Sequence, residues 1–479
     1  MRGERKTGEF SGLSGLSALA ALYVLVAPTA SVALYTSTNL LVLQAVLFRA
    51  VQDAFICKTK TAVILMEKES RCILHCDLNN FFASVECLSN PRWRDVPMAV
   101  CGDTDQRHGI VLAKNEPAKK YGIKTGDTVW QAKEKCAGVI IAPTHFDRYV
   151  FYSKEIRKIY GRYTDMIEPF GLDECWLDVG GSKRLFGSGE QIADMIRRDT
   201  KNELGLTVSV GVSFNKVFAK LGSDMKKPDA VTVILEENFK DKIWGLPIGD
   251  LLFAGRSTVK KLSSSGVFTI GDMAQMSVSS AKKLLGKNGV TLWRYANGFD
   301  DSPVASADAE PIRKSIGRST TGKSDLTNDT QIKRVVMLLC EDVSKRLRML
   351  SLSAGVISVY MRDFRLFVQT HQKRLLVPTR LCKELTDEAM RLITENWDNT
   401  PLRSVGVSVS DLRGDTSALQ YSFCRDQARC ERLEKIDFQV DSIRNRFGEN
   451  AICRASLINP MADLSGGGEH CSFSYINSR

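Results

Sequence analysis

The sequence predicts an α+β protein in which a ferredoxin-like unit is followed by a helical segment and then by a second α+β unit. Three observations carry this. Short apolar runs of strand character, ILHCD at 73–77 and CWLDV at 175–179, alternate with stretches whose apolar residues recur at spacings of three and four. Between residues 166 and 213 a hairpin, a helix and a strand follow one another in the order of a split βαβ motif. From 236 to 306 the pattern changes to short helical stretches broken by glycine.

The elements follow in order. Residues 1–65 stand apart: no charged side chain occurs from Phe10 to Phe48, and GLSALAALYVLVAPTASVAL has the length and apolarity of a membrane span or signal core, with Arg2, Arg5 and Lys6 ahead of it. This leader reads either as a genuine anchor or as a dispensable segment, because a soluble domain can begin at Met66. After the first strand come a helix at FFASVECLS, a strand at VPMAVCG and the lysine-rich NEPAKKYGIKTG. A helix at YVFYSKEIRKIYGRYTD leads into MIEPFGLDECWLDVG, then QIADMIRRDTKNELG reads as helix and LTVSVGVS as strand. In SSGVFTIGDMA, a helix, glycine turn and second helix offer backbone N–H groups to phosphates. PIRKSIGRSTT is a basic tether, strands lie around SAGVISVYMRD and SVGVSVSDL, and ERLEKIDFQVDSIRNRFG reads as one amphipathic helix.

Composition narrows the function classes. The 479 residues are 43% apolar and 25% charged, which is globular and neither fibrous nor disordered. The net charge of +11 points to a polyanionic partner, and it is concentrated: residues 312–380 carry fourteen Lys/Arg against five Asp/Glu. A merely solvated face is the competing reading. Thirteen cysteines show neither CxxC pairs nor zinc spacing, which predicts reduced, mostly buried thiols and a cytoplasmic location.

Two acidic sites fall on strands of one inferred sheet: Asp77, ending the first strand, and Asp173-Glu174 in GLDECWLD. Buried carboxylates this close would raise one another's pKa unless a cation compensates them. A divalent magnesium ion, hard and oxygen-seeking, removes that cost, and two ions about 3.5–4 Å apart would clamp an in-line phosphoryl displacement. Solvated acids at strand ends are the plainer alternative.

At these residues the chain resembles the Y-family of translesion DNA polymerases, in the DNA polymerase IV and UmuC-like branch. CDLNNFFASVE is similar to the family's first acidic motif, GLDECWLD to its second, VSVGVSFNKVFAKLGSDMKKPDA to its palm-closing segment, and RKSIGRSTT to the link into its little finger. The resemblance runs from about Cys72 to Leu457. It implies a right-hand fold: a palm at 66–81 and 144–235, small fingers at 82–143, a helix-hairpin-helix thumb at 236–306, a basic linker at 307–319, a little finger at 320–415 and a helical tail at 416–479. It also implies low-fidelity, DNA-directed DNA synthesis past damaged template bases, in DNA repair and the SOS response to damage, from primed DNA and dNTPs.

Carried over by position, Asp77, Asp173 and Glu174 hold two Mg²⁺ ions and Leu78 adds a backbone carbonyl. Phe81 and Phe82 border the nucleotide, with Phe82 at the steric gate that excludes a ribose 2′-hydroxyl; from the residues alone both are equally core aromatics. Lys119 and Lys227 take the positions of triphosphate contacts, and Arg313, Lys314, Arg318 and Lys323 those of DNA contacts. Glu116-Pro117-Ala118-Lys119 departs from the family's Tyr-Glu-Ala-Arg run, placing an acid where a phenol is common. LQYSF loosely resembles the QLSLF type of sliding-clamp peptide, which adds the clamp as a partner. Two rivals remain at this stage, a palm-fold nucleotide cyclase and a catalytically weak DNA-binding accessory subunit.

Overall fold

The computed structural model describes residues 71–102, 109–309, 313–414 and 426–457. The leader and LQYSF lie outside them. Among the described residues no helix is long and apolar enough to cross a membrane.

The first sheet grows from a strand whose six residues are all buried, β1 (Ile73–Leu78). Its apolar side chains Leu74 and Cys76 enter the main core, while Ile73 packs on the other face with Trp176. Helix α1 (Phe81–Ser89) starts directly after Asn80, which adopts a left-handed φ of 52° and so turns the chain sharply off the end of the strand. A small sheet follows, β2 (Met98–Cys101) and β3 (Val111–Lys114), with α2 (Glu116–Lys120), α3 (Val129–Lys135) and β4 (Ile140–Ala142), in the order β3-β2-β4. The chain then returns through α4 (Phe146–Tyr160) to the hairpin β5 (Ile167–Pro169) and β6 (Glu174–Asp178).

Helix α5 (Gly189–Leu204), opened by a Ser188/Gln191 capping box, leads to β7 (Val208–Ser213), α6 (Lys216–Met225) and β8 (Val231–Ile234). The completed sheet has the order β5-β6-β1-β7-β8, with β1 antiparallel to both neighbours and β7 parallel to β8. Helix α6 lies almost backbone to backbone on β7: a Cβ on Gly211 would stand 1.9 Å from the Ala219 carbonyl oxygen. That approach brings the polar side of α6 to the edge of the sheet where β1 ends.

Residues 256–296 form four short helices, α7 (Arg256–Ser263), α8 (Ile270–Gln275), α9 (Val278–Leu285) and α10 (Lys287–Ala296). Gly266, at φ 79°, makes the turn between α7 and α8.

The last sheet comprises β9 (Ser315–Leu326), β10 (Leu352–Asp363), β11 (Val368–Thr379) and β12 (Leu402–Gly414), ordered β11-β10-β12-β9 and fully antiparallel. Strand β9 opens at Ser315, within the stretch that reads as tether in the sequence. Helices α11 (Asp329–Met349) and α12 (Cys382–Asn396) cover one face, burying Ile357, Val359 and Met361 against Val336, Leu339 and Leu385; each such side chain contributes about 1.5–3 kcal/mol. Helix α13 (Gln427–Phe447) lies over these two helices. Ten described cysteines are free thiols, eight of them buried.

Candidate active site

Backbone register assembles the acidic edge. Asp77 pairs directly with Glu174 across β1 and β6, and the Leu78 N–H donates to the Asp173 carbonyl at 3.1 Å, fixing the hairpin end against the end of β1. Three carboxylates from segments nearly a hundred residues apart therefore share one corner of the sheet.

Burial and mutual repulsion mark this corner electrostatically. Desolvation, followed by the Asp77 and Glu174 charges, pushes Asp173 up to about 7. Burial also raises Asp77, against the pull of Lys227. Glu174 goes the other way: burial opposes its charge, but the His75 contact and Lys220 bring it down to about 2.

The side chains that neutralise these acids were not evident from the motifs. Lys227 Nζ lies 2.7 Å from Asp77 and 2.8 Å from Asp224, and Lys220 Nζ lies 2.5 Å from Glu174. The partner that Asp77 requires is thus an ammonium group in this conformation. His75 is fully buried, with Nε2 3.4 Å from Glu174. His75 Nδ1 lies 2.8 Å from Ser223 Oγ, which in turn donates to the Lys220 carbonyl. Asn79, also buried, donates to Ser209 and accepts the Asp229 N–H, tying the turn after Lys227 to the sheet. A spacing signal existed for Lys220 and Ser223, which share a face of α6.

A cavity of about 180 Å³ opens beside this corner, lined by Asn80, Phe81, Phe82, Lys114, Thr125 and Asp173 among others. Phe81 is buried in the core, whereas Phe82 is half-exposed and stacks on Tyr149 with ring centroids 4.1 Å apart. Tyr149 is itself locked by donating to Glu86 at 2.7 Å. Lys119 does not reach the acids; Glu116 holds it at 2.7 Å and also accepts from Asn80 at 2.8 Å.

The donor set fits divalent cations: the carboxylates are hard oxygen ligands, one is raised by burial and then by its neighbours' charge, and two ammonium groups already balance the others. Among the described residues, as their side chains stand, no three of His, Cys, Asp or Glu converge closely enough to enclose an ion.

The predicted DNA contacts divide. Arg313, Lys314 and Lys323 are exposed. Arg318 shares a face of β9 with buried Ile316 and forms a 2.7 Å ion pair with Asp342 on α11, so it points to the helix-covered side. The uncovered face of the same sheet is mostly small and hydroxylic: Ser319 pairs with Gly406, which pairs in turn with Tyr360, and Gly317 pairs with Ser408, which pairs with Ser358, while Arg374 stands 72% exposed beside them.

Residues 76–224 match the impB/mucB/samB family model, and residues 313–423 match that family's C-terminal domain. DNA polymerase IV of Acetivibrio thermocellus is 50% identical over 389 residues, spanning 81% of this chain and 98% of the relative. DNA polymerase IV 2 of Bacillus subtilis is 34% identical over 80% of this chain and 93% of its own. A solved Y-family DNA polymerase chimera superposes with a TM-score of 0.63 at 23% identity, covering 72% of this chain and all of its own. Its likeness establishes the right-hand fold, with a ferredoxin-like palm and a separate little-finger sheet. With the motifs in order, the acids on one edge and relatives matched nearly end to end, the chain belongs to the Y-family of translesion DNA polymerases, in its DNA polymerase IV branch, and is a DNA-directed DNA polymerase.

Proposed function

We propose that Asp77, Asp173 and Glu174, with the Leu78 carbonyl, hold two magnesium ions and that the adjoining cavity receives a dNTP opposite a primed template. When bound, the ions supply positive charge at the reacting phosphate and favour ionisation of the primer 3′-hydroxyl. The chain's own residues do the rest. Lys227 exchanges Asp77 for the triphosphate as the acids take up cations, and Lys119, tethered by Glu116, approaches the same phosphates as a point charge. Phe82, held flat by Tyr149, occupies the space a 2′-hydroxyl would need. Phe81 supports it from the core.

The domain limits follow this reading: palm at 66–81 and 144–235, fingers at 82–143, thumb at 236–306, linker at 307–319, little finger at 320–415 and tail at 416–479. Fingers of about sixty residues leave little mass to close over the nascent pair, which supports tolerance of damaged templates. The open, hydroxylic face of the little-finger sheet suits a phosphate backbone followed without base readout, with Arg313, Lys314 and Lys323 at its approaches and Arg318 acting through Asp342 to brace β9. LQYSF remains the candidate clamp contact, and the reduced thiols accord with the cytoplasm.

The observation that carries the proposal is the register bringing Asp77 opposite Glu174 with Asp173 beside them. Primer extension by the full chain across an abasic site tests it. Magnesium-dependent synthesis past the lesion is expected, and an Asp173→Ala, Glu174→Ala variant that extends as well as the parent would refute it. Incubation with a nucleoside triphosphate alone separates the cyclase reading.

A further inference from the structure

Helix α13 is turned inside out relative to a helix that merely covers its own domain. Its inward side is charged. Buried Asp437 and Asp441 receive the buried Arg348 guanidinium of α11, at 3.3 and 2.6 Å, and Glu434 pairs with Arg380. Arg444 and Arg454 close the network on Glu341 at 3.1 and 2.6 Å. Breaking a pair of this kind strands a buried charge, so α13 is fixed in rotation as well as position.

That rotation directs an apolar stripe outward. Leu433, Ile436, Val440, Ile443 and Phe447 recur at alternating spacings of three and four, the repeat that seats one helix against another. Leu433 and Val440 are half-buried, but Ile436, Ile443 and Phe447 are 56%, 36% and 66% exposed. The stripe and its solvent-side rim carry exposed Arg429, Arg432 and Arg446; on helical geometry the only exposed carboxylate of the mid-helix, Glu431, lies on the far side, one turn from Lys435.

We infer that this stripe is a docking surface for an amphipathic helix of another protein, one whose apolar seam is flanked by Asp or Glu. The charge decides between occupants. A second copy of this chain would set arginine against arginine along the seam, and the uncharged Phe10–Phe48 stretch could satisfy the apolar residues but none of the three arginines. An acidic partner helix satisfies both.

The test uses the full chain and a labelled synthetic helix of about three heptads, with Leu and Ile in the seam and Glu at the flanking positions, beside the same peptide with Lys in place of Glu. By fluorescence anisotropy the Glu peptide is expected to bind, with the Lys peptide and an Ile436→Asp, Ile443→Asp chain each weakened about tenfold or more. Because both isoleucines are exposed, thermal midpoint and primer extension should be unchanged in that variant. The inference is overturned by no binding of the Glu peptide, by equal binding of both peptides, or by undiminished binding to the variant. It is equally overturned if light scattering finds a dimer that the variant abolishes, or if the peptide binds only after residues 1–65 are removed.

Discussion

The two large sheets treat charge in opposite ways. In the five-stranded sheet, ionisable groups are gathered at one corner and withdrawn from water: Asp77 is 6% exposed and His75 is fully buried, with Lys220 and Lys227 folded over the acids. In the four-stranded sheet the open face is mostly small and hydroxylic, with Arg362 and Arg374 among its few charged groups, while Arg318 turns to the covered side. Under the proposed function, the difference matches the task of each surface. Phosphoryl transfer needs charge held rigidly where the dielectric is low, since there it is worth most to a transition state. Following a duplex needs shallow polar contact with no buried charge to desolvate.

The largest expected effect breaks the first half of that comparison alone. The Asp173→Ala, Glu174→Ala variant should lose primer extension by about a thousandfold or more while its affinity for primed duplex changes only slightly, because the open face of the second sheet is untouched. Single-turnover extension and duplex anisotropy check this together; parallel losses would mean the two sheets are not separable.

Phe82→Ala is smaller and more selective. Removing the ring from its stack on Tyr149 opens the cavity beside Asp173, so ribonucleotide incorporation should rise relative to deoxynucleotide by roughly tenfold or more, measured as a ratio of kcat/KM values.

On the second sheet, Arg374→Ala should weaken duplex binding several-fold and lower the salt slope of log Kd by about one, with extension at saturating DNA unchanged. Arg318→Ala should leave that slope alone and instead cost stability through Asp342, which a thermal melt would register.

The smallest effect is a pH dependence of the palm in chelator. The folded state holds the Asp173 proton to about pH 7, while the ordinary value is 3.8, so the native protein binds more protons in that interval and stability falls as pH rises through it. The thermal midpoint should drop by roughly a few degrees from pH 5 to 7.5, and Asp173→Asn should flatten the change. Glu174, lowered to about 2, acts oppositely and only at more acid pH.

Much of the fold was legible because its signals are local. The apolar runs ILHCD and CWLDV and the glycine turn in SSGVFTIGDMA each act within a few residues. The acids were legible too, since a carboxylate in an apolar run is anomalous wherever it folds. Their counterions were not: Lys227 meets Asp77 across 150 positions and Lys220 meets Glu174 across 46, and no short-range pattern reports such meetings. Arg318 was misleading for a related reason. Its place in a basic segment said it was charged, but the pleat, set by which neighbour Ile316 buries against, said which way it pointed.

By itself, then, the sequence determined the alternation of strands and helices, the family motifs and the three carboxylates, because propensity, periodicity and side-chain chemistry are properties of neighbouring residues. Only the tertiary structure decided that Lys220 pairs with Glu174 and Lys227 with Asp77, that Tyr149 holds Phe82 flat, and that α13 shows its apolar stripe to solvent. Each of these is an orientation fixed by contacts between distant segments, and burial on one side of an element is what selects the side that remains free.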